Sequence, residues 1–316
     1  MARSTPKTRR PRRVGTIVDG TEMEVLEVHD KLPLKCVGTI AMVTRDWVSA
    51  QTAVSWLVDD RSYLDFGETT LRFIVQGNVL VHQRNECIQK MDGDWILFID
   101  SDMVFQADAI KILLETQKKF DLDIVGGLCF QRTPPFQPTM YVMAQNAEHG
   151  YTFLEQWAED AAVEVDATGM AFCLIHKRVF ARIMEKAAND ALERLRPSAG
   201  DPDVDEAIAE FEESLKDPWP DLEHRLRKRA NAFFRWEGEY GEDFLFCRDA
   251  KASGSKVFVD TGVKIGHSGM TIINEENFFR EIAFRRPDEQ EFREEQLRSV
   301  GHTAITPEMA KEKLGL

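Results

Sequence analysis

Two carboxylates, Asp100 and Asp102, follow directly after the apolar run Trp95 to Ile99. An uninterrupted run of this kind is typical of a short strand that is buried on both faces of a sheet. Residues that follow such a strand lie in the crevice at the carboxyl ends of the strands, where open α/β sheets bind ligands. Since hard divalent cations prefer carboxylate oxygens, the two acids could hold a metal ion and, through it, a diphosphate. A simple turn at the strand end is the alternative.

Two further stretches carry residues that could do chemistry. Glu242 and Asp243 open a helix, where acids commonly stabilise the first turn through the helix dipole. In a catalytic role, Asp243 would be a general base that takes a proton from a hydroxyl group, and Glu242 is the second choice. His267 follows a strand and stands after Gly266, so backbone can approach a ligand closely there. A structural histidine is the alternative.

Strands alternate with helices of ten to fifteen residues, which predicts an α/β fold with a mainly parallel central sheet. The predicted strands cover residues 36–43, 70–75, 95–99, 123–128, 139–143, 163–166, 170–175 and 256–259, and the predicted helices 47–58, 81–91, 107–120, 178–195, 203–216 and 241–253. Parallel strands end at one edge of a sheet, so this order would bring the acids together there.

Three regions are predicted along the chain. Residues 1–13 form a disordered basic tail, residues 14–270 form the main domain, and residues 271–316 form a charged helical extension. Within the main domain, residues 185–230 are expected to be a helical insertion over the core.

Charge and cysteine content exclude some classes of protein. The formal net charge is −14, and the first thirteen residues alone hold six cations, so the rest carries −20. Such a body does not resemble a duplex-binding surface, which needs clustered cations. The five cysteines have no zinc-ligand spacing and favour reduced, mostly buried thiols. With no secretory signal and no apolar run long enough for a membrane span, a cytoplasmic protein is expected.

Four stretches together resemble the GT-A glycosyltransferases, specifically the soluble family-2-like type. They are "HQRNECIQKMDGD", "DWILFIDSDM", "DATGMAFCLIHKRVF" and "GEDFLFCRDAKASGSKVFVDTGVKIGHSG", in the expected order. The resemblance spans about residues 36–270. It implies the GT-A (nucleotide-diphospho-sugar transferase) fold and the metal-dependent transfer of a sugar from a nucleotide-diphosphate sugar to an acceptor hydroxyl, with inversion.

The resemblance also implies roles for the acids and the histidine. Asp102 would be a direct ligand of Mn²⁺ or Mg²⁺, and Asp100 would lie near the metal or the ribose. His267 would complete the metal and diphosphate site. Asp243 would be the base of an inverting enzyme. The nucleotide would also lie against a further set of residues: Thr39, Ala41, Val43, Arg45, Arg84, Asn85 and Ser101.

Two departures from the family pattern bear on specificity. Many relatives have an acid after the second strand that contacts uracil, whereas this chain has Gln76-Gly77-Asn78. A UDP-sugar is still the first expectation, but the base stays open. Processive synthases carry Gln-x-x-Arg-Trp after the base, whereas Arg235-Trp236 precedes Asp243 here and Ala232 replaces the glutamine. This favours a single-transfer enzyme, whose acceptor could be a glycan, a protein or a modified nucleic acid.

Two other interpretations stay open at the level of sequence. The stretch "FIDSDMV" also fits a haloacid-dehalogenase-like phosphatase, in which Asp100 would be the nucleophile and Asp102 the acid/base. That class usually places the motif near the start of its core, whereas two strand–helix units precede it here. A binding module on a GT-A fold without catalytic activity is the second alternative.

Overall fold

The computed structural model describes residues 13–18, 21–26, 34–144, 150–195, 206, 209, 233–269 and 273–316. The predicted basic tail, apart from Arg13, and most of the predicted helical insertion lie outside the described residues. Nothing in the structure therefore bears on those two expectations.

The described strands and helices follow the predicted alternation closely. The strands are β1 (Arg13–Val18), β2 (Thr21–Leu26), β3 (Lys35–Thr44), β4 (Glu68–Gln76), β5 (Trp95–Asp100), β6 (Met103–Val104), β7 (Ile124–Leu128), β8 (Met140–Met143), β9 (Tyr151–Phe153), β10 (Ala162–Val165), β11 (Ala167–Thr168), β12 (Phe172–His176), β13 (Val257–Lys264) and β14 (Gly266–His267). The helices are α1 (Ala50–Leu57), α2 (Leu80–Lys90), α3 (Ala109–Phe120), α4 (Lys177–Leu195), α5 (Glu242–Ala252), α6 (Glu275–Ala283), α7 (Pro287–Arg298) and α8 (Pro307–Leu314).

A seven-stranded sheet forms the centre of the molecule, in the order β10-β13-β7-β12-β5-β3-β4. The strands β3, β4, β5, β7 and β13 run in one direction, and β12 and β10 run against them. The predicted α/β fold with a mainly parallel sheet is therefore confirmed, with two antiparallel strands that the sequence did not indicate. The carboxyl ends of the five parallel strands share one edge.

Strand β5 is buried on both faces, which explains its uninterrupted apolar sequence. Ile96 and Phe98 join the apolar cluster that packs against α2, α4 and α5, while Leu97 and Ile99 join the cluster that packs against α3. All four side chains are fully buried. Burying each stabilises the fold by about 2 kcal/mol. The carboxyl end of β5, which carries Asp100, is thereby fixed.

The C-terminal residues form the three helices α6, α7 and α8. Helix α6 begins with a capping box. The Asn274 side chain accepts from the Glu276 N–H, and the Asn277 side chain accepts from the Asn274 N–H. Apolar side chains of the extension, among them Phe278 and Ile282, are buried in the same cluster as Phe98. The extension is therefore part of the main core.

All five cysteines are described by the structure, and all five are free, with four of them buried. Within the described ranges, no helix is both long and apolar enough to cross a membrane.

Candidate active site

A two-stranded ladder joins the acid pair to the late histidine. Strand β14 pairs antiparallel with β6, so that His267 lies opposite Met103. The ladder is extended by the Ser268 backbone N–H, which donates to the carbonyl of Asp102 at 2.7 Å. These backbone bonds place Asp102 and His267 next to each other, although they are far apart in sequence.

A missing side chain lets the histidine-bearing segment approach the sheet. The Ile265 N–H donates to the Leu128 carbonyl at 2.9 Å, which brings the chain against the end of β7. A Cβ atom at Gly127 would lie 2.8 Å from the Ile265 side chain, closer than side chains tolerate. Glycine at this position therefore allows the close packing that positions β14.

Arg84 lies at the centre of the acids. Its guanidinium contacts Asp100 at 3.3 Å and Glu242 at 3.3 Å, and packs over the Phe98 and Phe234 rings. Burial acts to lower the pKa of Arg84, but the charges of Asp100 and Glu242 outweigh it, so the net pKa lies above its usual value. The side chain is only 3% exposed. Arg84 therefore links the strand end to α5, and its buried guanidinium serves to position acids.

Asn85, which was expected on the nucleotide side, makes hydrogen bonds within the protein. Its Nδ2 donates to the carbonyls of Val81 and Phe234, and its Oδ1 accepts from the Phe234 N–H at 3.1 Å. This two-way bond fixes the Phe234 backbone, whose ring stacks on Phe246 of α5. The side chain thus fixes the segment that precedes α5.

Asp243 has the electrostatic environment of a base. It lies in the first turn of α5 next to Glu242, and its Oδ1 accepts from the Phe244 N–H at 2.8 Å. Burial is the main cause that raises the pKa of Asp243 to about 6, and the Glu242 charge adds to the rise. A carboxyl with this pKa is mostly ionised at neutral pH and more basic than an ordinary aspartate. Burial likewise raises the pKa of Asp100, against the lowering effect of Arg84.

Asp102 has a partner that sequence reasoning missed. Arg132 Nη1 lies 2.8 Å from Asp102 Oδ2, and the arginine side chain is 63% exposed while that of Asp102 is buried. Arg132 stands in the Pro-rich loop between β7 and β8, where no periodicity or motif marks it. Only the expectation that this loop borders the site could have suggested it.

His267 presents an unused nitrogen. Its Nδ1 is buried and has no hydrogen-bond partner. Burial lowers the pKa of His267, although the charge of Asp102 acts to raise it. The imidazole is therefore neutral at neutral pH, which is the form that binds metals.

The residues expected from β3 divide between the interior and the edge. Thr39 and Ala41 are fully buried within the strand, and the Thr39 hydroxyl bonds to the Asp92 backbone at the opposite end of the sheet. Both are interior positions of β3, and their expected contact with a nucleotide stays a prediction. Val43 pairs with Asp100 and does lie at the edge, and Arg45 follows it with its side chain exposed. Ser101 lies next to the acids, where its carbonyl accepts from the Ser49 N–H at 2.9 Å.

The donor atoms fit a metal that takes the rest of its ligands from a substrate. Among the described residues, no three His, Cys, Asp or Glu side chains are grouped as a complete metal site. Asp102 and His267 are nevertheless adjacent, and the unpartnered Nδ1 of His267 is a free donor atom. Divalent cations in phosphate-transferring sites are commonly held by one or two carboxylates together with substrate phosphates. Asp102 and His267, with Asp100 close by, would hold such an ion.

Several solved structures are similar to this chain, and three of them follow. A197 from STIV is 16% identical, with a TM-score of 0.40, over 73% of this chain and 85% of its own. GalNAc-T7, crystallised with UDP, GalNAc and Mn²⁺, is 10% identical, with a TM-score of 0.44, over 91% and 57%. S. aureus TarS 1–349, in complex with UDP-GlcNAc, is 11% identical, with a TM-score of 0.39, over 89% and 70%. No match was found among curated proteins.

One stretch of the chain matches the model of a known protein family. Residues 61–180 match the family described as Glycosyl transferase family 2. The matched stretch contains Arg84, Asp100, Asp102 and Arg132, while Asp243 and His267 lie beyond it. The resemblance seen in the sequence is confirmed, and the match favours a transferase over the phosphatase that the same acid pair allows. Residues 61–180 thus carry the pattern of family 2 glycosyltransferases within a mixed α/β fold that has a mainly parallel sheet, and this match supports a glycosyltransferase.

Proposed function

We propose that the protein transfers one sugar at a time from a nucleotide-diphosphate sugar to an acceptor hydroxyl, with inversion and with the help of a divalent metal. The proposal is supported above all by the position of His267 beside Asp102 at the carboxyl edge of the sheet. Asp100 and Glu242 are linked at the same edge through Arg84, and Asp243 follows Glu242 on α5.

Asp102 and His267, with Asp100 nearby, would hold Mn²⁺ or Mg²⁺. When bound, such an ion neutralises charge on the departing diphosphate. The neutral imidazole is suited to this, because it does not have to lose a proton at neutral pH before it coordinates.

Asp243 would act on the acceptor. Its carboxylate takes the proton of an acceptor hydroxyl, and the oxygen then forms a bond to the anomeric carbon as the bond to the diphosphate breaks. Attack from the face opposite the diphosphate inverts the configuration. The raised pKa of about 6 makes Asp243 a stronger base without protonating it at neutral pH.

The donor is proposed to be a UDP-sugar, and transfer is proposed to stop after one unit. The second point is supported by the sequence, in which Ala232 stands where processive synthases have glutamine. The acceptor would be a glycan, a protein or a modified nucleic acid.

The test is a screen for released nucleoside diphosphate over UDP-, GDP- and dTDP-sugars, with and without Mn²⁺. We expect release from one donor class, dependent on the metal. Asp102→Ala should reduce it at least about a hundredfold, since it removes a metal ligand. Asp108→Ala is the matched control, because Asp108 is exposed and makes no side-chain cap bond at α3. Turnover near that of the unaltered protein in Asp102→Ala would contradict the metal assignment.

A further inference from the structure

The contact between Arg132 and Asp102 suggests more than a surface ion pair. A guanidinium at 2.8 Å from Asp102 Oδ2 takes up one of the oxygens that a metal ion would need. A cation and Arg132 cannot both stay there without strong repulsion, since like charges within a few ångströms oppose each other. Binding of a metal at Asp102 therefore requires Arg132 to leave.

The loop that carries Arg132 is built so that this side chain can leave at low cost. Backbone bonds from Gln131 to Gln137 and from Thr139 to Cys129 close the base of the loop. Gln137 is buried there and its amide donates to Glu155. Arg132 itself lies on the exposed tip, and its side chain is 63% exposed. The guanidinium is solvated, so it loses little when it leaves, and a metal ion would replace its charge at the buried Asp102 carboxylate.

The charges around the site give Arg132 a second partner. Four carboxylates lie here, those of Asp100, Asp102, Glu242 and Asp243. Among the described residues, Arg84 pairs with Asp100 and Glu242, and Arg132 pairs with Asp102. A nucleoside diphosphate brings further negative charge, more than one divalent ion neutralises. Arginine binds phosphate oxygens through two parallel N–H donors. Once released from Asp102, Arg132 could therefore bind the diphosphate at this edge.

We propose that Arg132 is an exchangeable counterion. It neutralises Asp102 in the metal-free protein and moves to the diphosphate of the donor once a divalent ion has bound Asp102. This inference rests on the proposed function, because the metal ion and the diphosphate are both parts of that proposal. Arg132 would compete with the metal and assist the nucleotide, so removing its charge should change the two affinities in opposite directions.

The test compares Arg132→Ala with the unaltered full-length protein in two titrations. Mn²⁺ is titrated without nucleotide and followed by the electron paramagnetic resonance signal of the free ion. UDP is then titrated by calorimetry at saturating Mn²⁺. We expect the Kd for Mn²⁺ to fall about threefold, as for loss of a competing cation whose own side chain is solvated. We expect the Kd for UDP to rise about tenfold, as for loss of one charge-assisted contact.

Arg280→Ala is the matched control. Arg280 is an exposed arginine on α6 that also pairs with a carboxylate, Glu276. It changes the net charge by the same amount and should alter neither affinity. Weaker Mn²⁺ binding in Arg132→Ala, or two unchanged affinities, would overturn the inference alone. If the unaltered protein bound neither Mn²⁺ nor UDP, that result would contradict the proposed function as well as the inference about Arg132.

Discussion

At the scale of single residues, the neighbouring acids Glu242 and Asp243 differ in the partners that they contact. Glu242 is tied to the buried Arg84, whereas Asp243 keeps a carboxylate oxygen free of any cation within bonding distance among the described residues. Burial is the main cause that raises the pKa of Asp243, against the lowering effect of the Arg84 charge. Of the two acids that open α5, Asp243 is therefore the one with an oxygen available for an acceptor hydroxyl.

The pH dependence of the reaction follows from this difference. A general base works only when deprotonated, and the pKa of Asp243 is about 6. We therefore expect kcat/KM to rise with pH, about tenfold per unit below this pKa, and to level off above it. A pH–rate profile between pH 5 and 8 would measure this.

Asp243→Asn separates the catalytic role from the structural one. Transfer should fall by about 10²–10⁴-fold, the usual contribution of a positioned base. Donor binding should persist, because the asparagine side chain keeps an oxygen for the Phe244 N–H. Calorimetric titration with the donor checks the binding. If Glu242→Gln abolished transfer while Asp243→Asn did not, the roles of the two acids would have to be exchanged.

At the scale of elements, α2 is a scaffold for the site. Its Arg84 positions the acids, and its Asn85 holds the backbone that leads into α5. The two neighbours on one helix thus fix both sides of the crevice. A helix that was expected to contact the nucleotide stabilises the arrangement that would bind it.

Asn85→Ala should show this in stability. The change leaves a buried N–H and a buried carbonyl of Phe234 without partners, which costs about 2 kcal/mol. Urea denaturation would measure the change in the free energy of unfolding. Glu86→Ala is the control on the same helix, because the Glu86 side chain is 46% exposed and pairs only with Lys90 among its described contacts. An equal loss in both variants would argue against a specific role of Asn85.

Sequence patterns predicted the large elements well, and the reasons for the misses are physical. Strand β13 was expected to end at Val259 because Asp260, Thr261 and Gly262 are turn residues. It continues to Lys264, since the Thr261 N–H bonds to the Ala161 carbonyl and the Asp260 carboxylate accepts from Thr116. Strands of two residues, such as β14, are too short to have a period. The acids and His267 came from motifs, whereas the Arg132 contact depends on loop geometry that no local pattern encodes.

At the scale of the whole molecule, a buried ion pair connects regions distant in sequence. The Glu155 carboxylate is fully buried, lies 2.9 Å from Arg285 and 3.6 Å from Arg293, and accepts from Gln137. Gln137 stands at the base of the loop that carries Arg132, whereas Arg285 lies between α6 and α7 and Arg293 lies on α7. The extension is thereby connected to the border of the site.

Glu155→Ala tests that connection. It leaves Arg285 buried without a counterion, and we expect a loss of about 3 kcal/mol in the free energy of unfolding. The control is Glu159→Ala, since Glu159 and its partner Lys313 are both about half exposed, at 53% and 49%. Because water solvates both of its members, that pair should contribute little to stability. Chemical denaturation measures the free energy of unfolding of both variants. A similar small loss in each would contradict the role assigned to Glu155.

The same ion pair limits how this chain can be recombined with other transferases. The stretch that matches the family, residues 61–180, contains Glu155, while Arg285 lies beyond its end. A chimera exchanged at the end of that stretch would separate the acid from its cation and leave a charge buried on each side of the junction. Breakpoints that keep Glu155 and Arg285 from one parent should therefore yield folded chimeras more often than breakpoints that divide them.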